Sequence, residues 1–114
     1  EFATVGPTEE RARELGWTVY HSSSAPLEWA LNVDRTGERA YIKVIVDAGI
    51  VVGAHVVAPH AAEIIQGVVI AIAAGCRFET MRGTLGIHPT IAEGFSSLEL
   101  KVDAGARPPS GAGC

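Results

Sequence analysis

The chain of 114 residues carries a formal net charge of −4, and 47% of its residues are hydrophobic. A chain of this length forms one domain and buries roughly two-thirds of the surface that its unfolded form exposes. The overall composition is that of a globular domain and not of a disordered protein, and the acidic balance argues against a nucleic-acid partner. The longest apolar run, GVVIAIAAGC, is too short to cross a bilayer, so we expect no membrane partner.

The start of the chain and its two cysteines indicate its context. The sequence begins EFATVG without an initiating methionine, so we expect it to be part of a longer protein. Cys76 and Cys114 give no metal-binding spacing and no disulfide framework, so we expect no metal site. Such cysteine usage favours a reducing compartment, and we place the protein in the cytoplasm, with the mitochondrion as the alternative.

The first half of the chain predicts one helix followed by strands. TEERARELG has Thr8 as an N-cap and Gly16 as a stop signal, which indicates a short helix, and WTVYHSSS follows as a strand. RAYIKVIVD alternates polar and apolar residues, and Gly49 joins it to IVVGAHVVAP, which indicates an antiparallel hairpin. We therefore expect a sheet of at least three strands.

The second half predicts helices. AAEIIQGVVIAIAAG is apolar almost all round, so we expect a second copy of the chain to cover one face, at Ile64, Val68, Ile72 and the segment near His88. RFETMRGTLG indicates one or two helical turns, and HPTIAEGFSSLEL indicates a final short helix. Together the elements predict an α+β fold in which helices pack on one face of an antiparallel sheet.

The end of the chain has a different composition. Residues 103–114, DAGARPPSGAGC, consist mostly of Gly, Ala, Pro and Ser and show no apolar pattern. We therefore divide the chain into a folded domain at residues 1–102 and a flexible tail at residues 103–114. Fully extended at ~3.3–3.6 Å per residue, this tail could reach about 40 Å.

The stretch GIHPTIAEGF contains a candidate proton-transfer pair, His88 and Glu93. A carboxylate that holds a histidine ring fixes its tautomer and leaves the other ring nitrogen free to exchange protons near neutral pH. Pro89 can begin a helix that folds Glu93 back under the ring. Thr90 and Glu93 also form a T-x-x-E capping box, which explains the glutamate without any chemistry. The spacing therefore leaves both interpretations open.

The remaining histidines and cysteines divide into structural and reactive candidates. His21 and His55 lie in predicted strands and His60 at a predicted helix start, so we assign all three structural roles. Cys76 ends the apolar helix and resembles a small core residue. Cys114 is a thiol at a chain end and is therefore a candidate reactive group. The sequence contains no Gly-x-Gly-x-x-Gly motif, so we expect the chain alone to bind no nucleotide cofactor.

Four segments together resemble a known family. ATVGPTEE, VYHSSSAPLEW, VVGAHVVAPHAAEIIQG and GIHPTIAEGF are similar to the C-terminal interface, or dimerisation, domain of the pyridine nucleotide-disulfide oxidoreductases. VYHSSSAPLEW, the G-I-H-P-T-x-A-E run and the terminal AGC are most similar to the high-molecular-weight thioredoxin reductases and thioredoxin-glutathione reductases. The resemblance covers nearly the whole chain.

The resemblance implies a homodimeric flavoenzyme in which FAD and NADPH domains precede this segment and electrons pass through a dithiol to thioredoxin. In such enzymes the interface domain of one subunit completes the active site of the other. His88 would then act as acid and base toward the partner's thiols, Glu93 would orient it, and His88 with Pro89 would contact the cofactor. The resemblance also predicts a cis His88–Pro89 bond. The isolated chain is expected to be inactive.

The resemblance gives Cys114 a catalytic role. Enzymes of the thioredoxin reductase type carry a second C-terminal redox pair, often Cys-selenocysteine-Gly, and the sequence ends at Cys114, where a selenocysteine could follow. Two alternatives remain at this point. One is a glutathione-reductase-like interface domain with an inert tail, and the other is a free-standing dimerisation module.

Overall fold

The computed structural model describes residues 1–25 and 39–102. Within them the strands are β1 (Phe2–Val5), β2 (Thr18–Ser24), β3 (Ala40–Asp47), β4 (Ile50–Val57) and β5 (Glu99–Leu100). The α-helices are α1 (Glu9–Glu14), α2 (Ala61–Ala73) and α3 (Phe78–Gly83), and a 3-10 helix spans Ile91–Ser96. The predicted tail, with Cys114, lies outside the described residues, as does the segment 26–38.

The strands form one antiparallel sheet in the order β1-β4-β3-β2-β5. The predicted hairpin is the centre of this sheet and joins β3 to β4. Its turn consists of Ala48 and Gly49, which both have positive φ angles, the backbone conformation that a two-residue hairpin turn requires. The hairpin is therefore confirmed together with the α+β class.

The larger part of the core lies between the sheet and α2. Alternate residues of β3, Ile42, Val44 and Val46, face this core, because successive side chains of a strand point to opposite faces. From α2, Ile65 and Val68 are buried in it. The prediction that Val68 belongs to a self-association surface is wrong, since the sheet of the same chain covers that side chain.

The apolar residues that α2 exposes are not the ones that the sequence predicts. Ile64 and Ile72 are partly buried against the core, whereas the side chain of Ile70 is 63% exposed and Val69 is also exposed. A helix turns by about 100° per residue, so these two residues point away from the sheet. No helix within the described residues is long and apolar enough to span a membrane.

The opposite face of the sheet carries a smaller core. Ala12 of α1, Val19 of β2 and Ile45 of β3 are fully buried there, and Trp17 packs against them. Ile45 points to this face because it lies between Val44 and Val46 in the strand. The predicted helical layer on one face is therefore present, and α1 adds a second layer on the other face.

The last described segment returns to the sheet edge. The predicted final helix is a single 3-10 helix, Ile91–Ser96, after which Leu98 is fully buried. β5 then pairs with β2 at the edge of the sheet. The chain thus passes directly from the segment that contains the candidate pair to the edge strand, and from there to Val102, the last described residue.

Candidate functional site

The loop between α3 and the 3-10 helix positions His88. Its bond to Pro89 is cis, as the resemblance predicts. Thr90 is the N-cap of the 3-10 helix, and Glu93 lies in the first turn of that helix, three residues after Thr90. The loop and the helix N-terminus therefore bring the histidine and the glutamate to the same place.

The two oxygens of the Glu93 carboxylate have different partners. Oε1 lies 3.0 Å from Nδ1 of His88, and Oε2 accepts a hydrogen bond of 2.9 Å from the backbone N–H of Thr90. The Thr90 hydroxyl donates in turn to the carbonyl of Ile87, at 2.7 Å. The capping box and the His–Glu pair, which are alternatives in the sequence, are both present, because a carboxylate accepts from two directions.

This geometry leaves Nε2 of His88 available. With Nδ1–H donating to Glu93, the ring carries its unprotonated nitrogen at Nε2. The side chain of His88 is 68% exposed, and no described residue forms a hydrogen bond to Nε2. The Thr90 amide, and after it the His88 ring, hold the pKa of Glu93 below its ordinary value of 4.5. A charged carboxylate thus orients an accessible base.

Two glycines allow the close packing around Glu93. A Cβ at Gly86 would lie 3.0 Å from Cγ of Glu93, and a Cβ at Gly94 would lie 2.8 Å from Cδ1 of Ile42 in the sheet. Ser22 of β2 donates its hydroxyl to the carbonyl of Gly94 at 2.9 Å. The 3-10 helix therefore packs on the sheet at Gly94, and the loop packs on Glu93 at Gly86. At both positions a side chain would come too close to its neighbours.

A cavity of about 540 Å³, here the His88 cavity, opens beside the pair. Its walls come from β2, the loop, the 3-10 helix and β5, with the residues His21, Ser22, Ser23, Ser24, Ala25, His88, Thr90, Glu93, Gly94, Ser97 and Glu99. His21 pairs with Glu99 across the strands and contacts the Tyr41 ring edge-on. His21, to which the sequence assigns a structural role, therefore also borders the cavity.

The other candidate residues lie away from this site. His55 is buried, its Nε2 lies 2.9 Å from the carbonyl of Pro7, and desolvation lowers its pKa. This contact confirms its structural interpretation. Cys76 is partly buried, and its thiol donates to the carbonyl of Arg77. In residues 1–25 and 39–102, no three His, Cys, Asp or Glu side chains are grouped as metal ligands.

Apolar side chains are exposed on both sides of the pair's loop. Leu85 is 95% exposed and Ile87 is 79% exposed, and they flank Gly86 just before His88. An apolar groove of about 330 Å³ runs between α2, α3 and the 3-10 helix, with Ile64, Met81 and Phe95 among its walls. Exposed large apolar residues near a polar site are typical of a surface that another protein covers.

Relatives of known name match almost the whole chain. Thioredoxin reductase SEP1 of Emiliania huxleyi is 41% identical over 112 residues, which are 92% of this chain and 22% of the relative. A glutathione reductase of Burkholderia cepacia is 41% identical over 100 residues, 84% of this chain and 22% of the relative. The mitochondrial thioredoxin reductase 2 of Drosophila melanogaster is 33% identical over 121 aligned positions, which cover 100% of this chain and 23% of the relative.

The chain therefore spans less than a quarter of the length of these relatives. Residues 1–98 match the sequence profile described as the dimerisation domain of the pyridine nucleotide-disulphide oxidoreductases. The match includes the sheet up to β4, the helices α1 to α3, the 3-10 helix and the His88 loop. The chain belongs to the pyridine nucleotide-disulphide oxidoreductase family and comprises its dimerisation domain.

Proposed function

We propose that this domain forms the dimer interface of a thioredoxin reductase-like enzyme and supplies a proton-transferring histidine to the dithiol of the partner subunit. The observation that carries the proposal is the orientation of His88. Glu93 holds Nδ1 at 3.0 Å, and the exposed ring presents Nε2 to whatever docks on the loop. A site that is open on its own chain and flanked by apolar side chains suits completion by a second subunit.

The pair can perform the acid–base steps of thiol–disulfide exchange. A thiolate is the attacking species, so a thiol must first lose its proton, and Nε2 of His88 can accept it. The imidazolium that forms is stabilised by Glu93, which stays ionised because its pKa is lowered by the Thr90 amide and His88. When a disulfide opens, the imidazolium returns the proton to the leaving thiolate, which restores the neutral ring.

FAD and NADPH belong to the proposed full-length enzyme and are not held by this chain alone. The sequence has no Gly-x-Gly-x-x-Gly motif, so the residues present do not fit the phosphate groups of either cofactor. FAD, when bound by the rest of the enzyme, would take two electrons from NADPH and pass them to the active-site disulfide, which they reduce to the dithiol. His88 and Pro89, both on the exposed loop, are the residues we propose to border the cofactor side of the site.

The proposed homodimer uses the exposed apolar residues next to the site. Leu85 and Ile87 flank Gly86 beside the pair, and Val69 and Ile70 are further exposed apolar residues on α2. A second copy that covers these residues removes them from water, at about 25 cal/mol per Å² of apolar area. Most homodimers are symmetric, so each subunit would complete the site of the other.

Substitution of His88 in the full-length enzyme tests the acid–base role. We expect His88→Gln to lower the rate of thioredoxin reduction by a factor of roughly 10²–10⁴, because an amide cannot take up the proton. His60→Gln is the matched control, since His60 is an exposed histidine outside the His88 cavity. Equal rates for His88→Gln and the wild-type enzyme would contradict the proposal.

Deletion of the end of the tail tests whether Cys114 passes electrons to thioredoxin. The relatives include both thioredoxin and glutathione reductases, so the glutathione-reductase-like enzyme with an inert tail is the second candidate. We expect an enzyme shortened after Ser110 to lose thioredoxin reduction while NADPH still reduces its active-site disulfide to the dithiol. An undiminished rate would favour the second candidate, in which the same His88–Glu93 pair serves glutathione disulfide.

A further inference from the structure

A cluster of charges on the α1 face of the sheet holds the last described residues of the chain. Glu9 of α1 accepts hydrogen bonds from Arg13 at 3.1 Å and from Lys43 of β3 at 2.9 Å. Lys101, which follows β5, donates to both carboxylate oxygens of Glu9, at 2.8 and 2.6 Å. These four residues, here the Glu9 clamp, connect a helix, a central strand and the C-terminal segment.

Arg13 also holds the backbone of that segment. Its guanidinium donates to the carbonyl of Lys101 at 2.8 Å and to Glu9 at the same time. The amide of Lys101 donates to the carbonyl of Val19 in β2, at 2.8 Å. The side chain, the amide and the carbonyl of Lys101 therefore all form hydrogen bonds.

The segment needs this attachment because its other contacts are few. β5 has only two residues, and both pair with β2. Among the described residues, Leu98 is the last buried side chain, whereas Leu100 and Val102 are about half exposed. A two-residue edge strand without apolar burial opens readily. The clamp supplies the hydrogen bonds that the short strand lacks.

The Glu9 clamp lies next to the His88 cavity. Glu99 lines that cavity and precedes Lys101 by two residues, a distance of about 7 Å along a strand. In the row of paired residues on the same face, Lys43 pairs with His21, and His21 pairs with Glu99. The C-terminal segment therefore runs along one wall of the His88 cavity before it reaches the clamp.

We propose that the Glu9 clamp is a positioning device that fixes the origin of the tail, and thereby the region that Cys114 can reach. This inference rests on the proposed role of Cys114 in carrying electrons to thioredoxin. A tail whose origin is held spends more of its time near one target than a tail that also frays at its root, because the effective concentration depends on the length of free chain. Glu9 and Lys101 act through the tail and have no contact with the reacting atoms.

The charge state of Glu9 suits this role. Burial on its own would raise the pKa of Glu9, but hydrogen bonds from the three cations outweigh it and lower the pKa to about 2. The carboxylate is therefore ionised throughout the pH range in which such an enzyme works. We expect the effect of a Glu9 substitution to be the same at pH 6 and pH 8.

The first experiment measures whether the clamp holds the segment, by hydrogen exchange of the peptide 98–102 in the full-length enzyme. We expect Glu9→Gln and Lys101→Met to speed the exchange of the Lys101 amide about tenfold, as the loss of roughly 1.4 kcal/mol of local stability implies. Lys101→Arg keeps the charge and should restore slow exchange. Exchange at the wild-type rate in Glu9→Gln would overturn the proposal.

The second experiment measures the consequence for the reaction. We expect Glu9→Gln to lower kcat/KM for thioredoxin by about 1.5- to 2-fold, because release of residues 99–102 lengthens the free chain at its root and the effective concentration falls as roughly the −3/2 power of that length. The reduction of ferricyanide, which takes electrons directly from a reduced flavin, should stay unchanged. Lys101→Arg should again retain the wild-type value. An equal fall in both reactions would mean a general defect of the fold and would overturn the positioning role.

The matched control is the ion pair of Arg11 and Glu14 on the same helix. It is highly exposed, with 60% and 56% of the two side chains accessible, and it connects no other element. Arg11→Met should change neither exchange nor thioredoxin reduction. The enzyme shortened after Ser110 separates the two proposals. If it keeps its full thioredoxin rate, the role of Cys114 fails, and the exchange experiment still decides whether the clamp holds the segment.

Discussion

Glu9 and Glu93 are two carboxylates that the fold keeps ionised through different partners. Glu9 is surrounded by three cationic side chains from α1, β3 and the C-terminal segment, all mostly removed from solvent. Glu93 has one backbone amide and one histidine ring, on a loop that is open to solvent. The pKa of each is below 4.5, and for Glu9 it falls to about 2.

The difference shows how the same group can be structural or functional. The oxygens of Glu9 are saturated by donors of its own chain, so it has nothing left to offer a substrate. Glu93 uses one oxygen to begin a helix and the other to orient His88, whose second nitrogen stays free. Both carboxylates have a lowered pKa, so the pKa alone does not identify the functional one. Glu93 is the functional carboxylate because the histidine that it orients stays accessible.

Of the changes that compare the two carboxylates, the largest effect is expected at Glu93, in the full-length enzyme. Glu93→Ala removes the acceptor that fixes the tautomer of His88, and we expect the thioredoxin-reducing rate to fall by about 10- to 100-fold, as for other residues that orient a functional histidine. Glu93→Gln keeps the shape and an acceptor, so it should lose less. Steady-state rates of the two variants across pH 6–9 provide the measurement. Equal rates for Glu93→Ala and wild type would mean that Glu93 only caps the 3-10 helix and does not orient His88.

The second prediction concerns the seat of the 3-10 helix that carries Glu93. A Cβ at Gly94 would approach Ile42 to 2.8 Å and the Ser22 hydroxyl to 3.0 Å. Ile42 is buried in the main core and cannot move freely, so Gly94→Ala should destabilise the chain by about 1–3 kcal/mol, the usual cost of overpacking. Urea unfolding measures this. Gly83→Ala is the control, because a Cβ at that position would have no neighbouring atom within 4 Å.

The sequence predicts the parts of the fold that local patterns encode. The alternation in RAYIKVIVD and the glycine at position 49 identify the hairpin that forms the centre of the sheet. β1 and β5 are not predicted, because each is short and pairs only with a strand distant in sequence. The sequence also assigns the faces of α2 incorrectly, since a helix that is apolar almost all round has no pattern that separates the core side from the exposed side.

The candidate site also combines features that the local sequence predicts with features that depend on the tertiary fold. His88 and Glu93 are five residues apart, so their contact can be predicted from the sequence, and the family resemblance gives it a role. The close approach of Gly86 to Glu93 and the bond from Ser22 to Gly94 depend on the tertiary fold. The sequence alone does not predict the Glu9 clamp for a similar reason. Lys101 is 92 positions from Glu9, and nothing in its local sequence distinguishes it from an ordinary surface lysine.

The third prediction separates Glu9 from Glu93 by acid unfolding. The pKa of Glu9 is about 2 in the folded chain and returns to 4.5 on unfolding, so its contribution to stability is complete above about pH 4.5 and is lost as the pH falls toward 2. We expect this contribution to be about 1–2 kcal/mol after allowance for solvent screening. Urea unfolding at pH 6, 4, 3 and 2 should show wild type and Glu9→Gln converging at the acid end.

Glu93→Gln is the comparison in that series. Its carboxylate also has a lowered pKa, through the Thr90 amide first and the His88 ring second, so the direction is the same. Glu93 has fewer partners than Glu9. We therefore expect the free energies of unfolding of wild type and Glu93→Gln to converge less at acid pH than those of wild type and Glu9→Gln. A larger effect at Glu93 than at Glu9 would contradict the view that the three cations make Glu9 the structural carboxylate.

The smallest effects are expected on α1, where two arginines on different sides of the same helix compare the Glu9 clamp with an ordinary surface ion pair. Arg13 contacts Glu9 and the carbonyl of Lys101, whereas the side chain of Arg11 contacts the exposed Glu14 and no other element among residues 1–25 and 39–102. We expect Arg13→Met to cost about 1 kcal/mol, since it removes a hydrogen bond to a charged group and one to a backbone carbonyl. Arg11→Met should stay within about 0.5 kcal/mol of wild type, as exposed ion pairs do. Both have the same change in charge and helix propensity, so equal losses in urea unfolding would mean that the bond from Arg13 to the C-terminal segment contributes nothing.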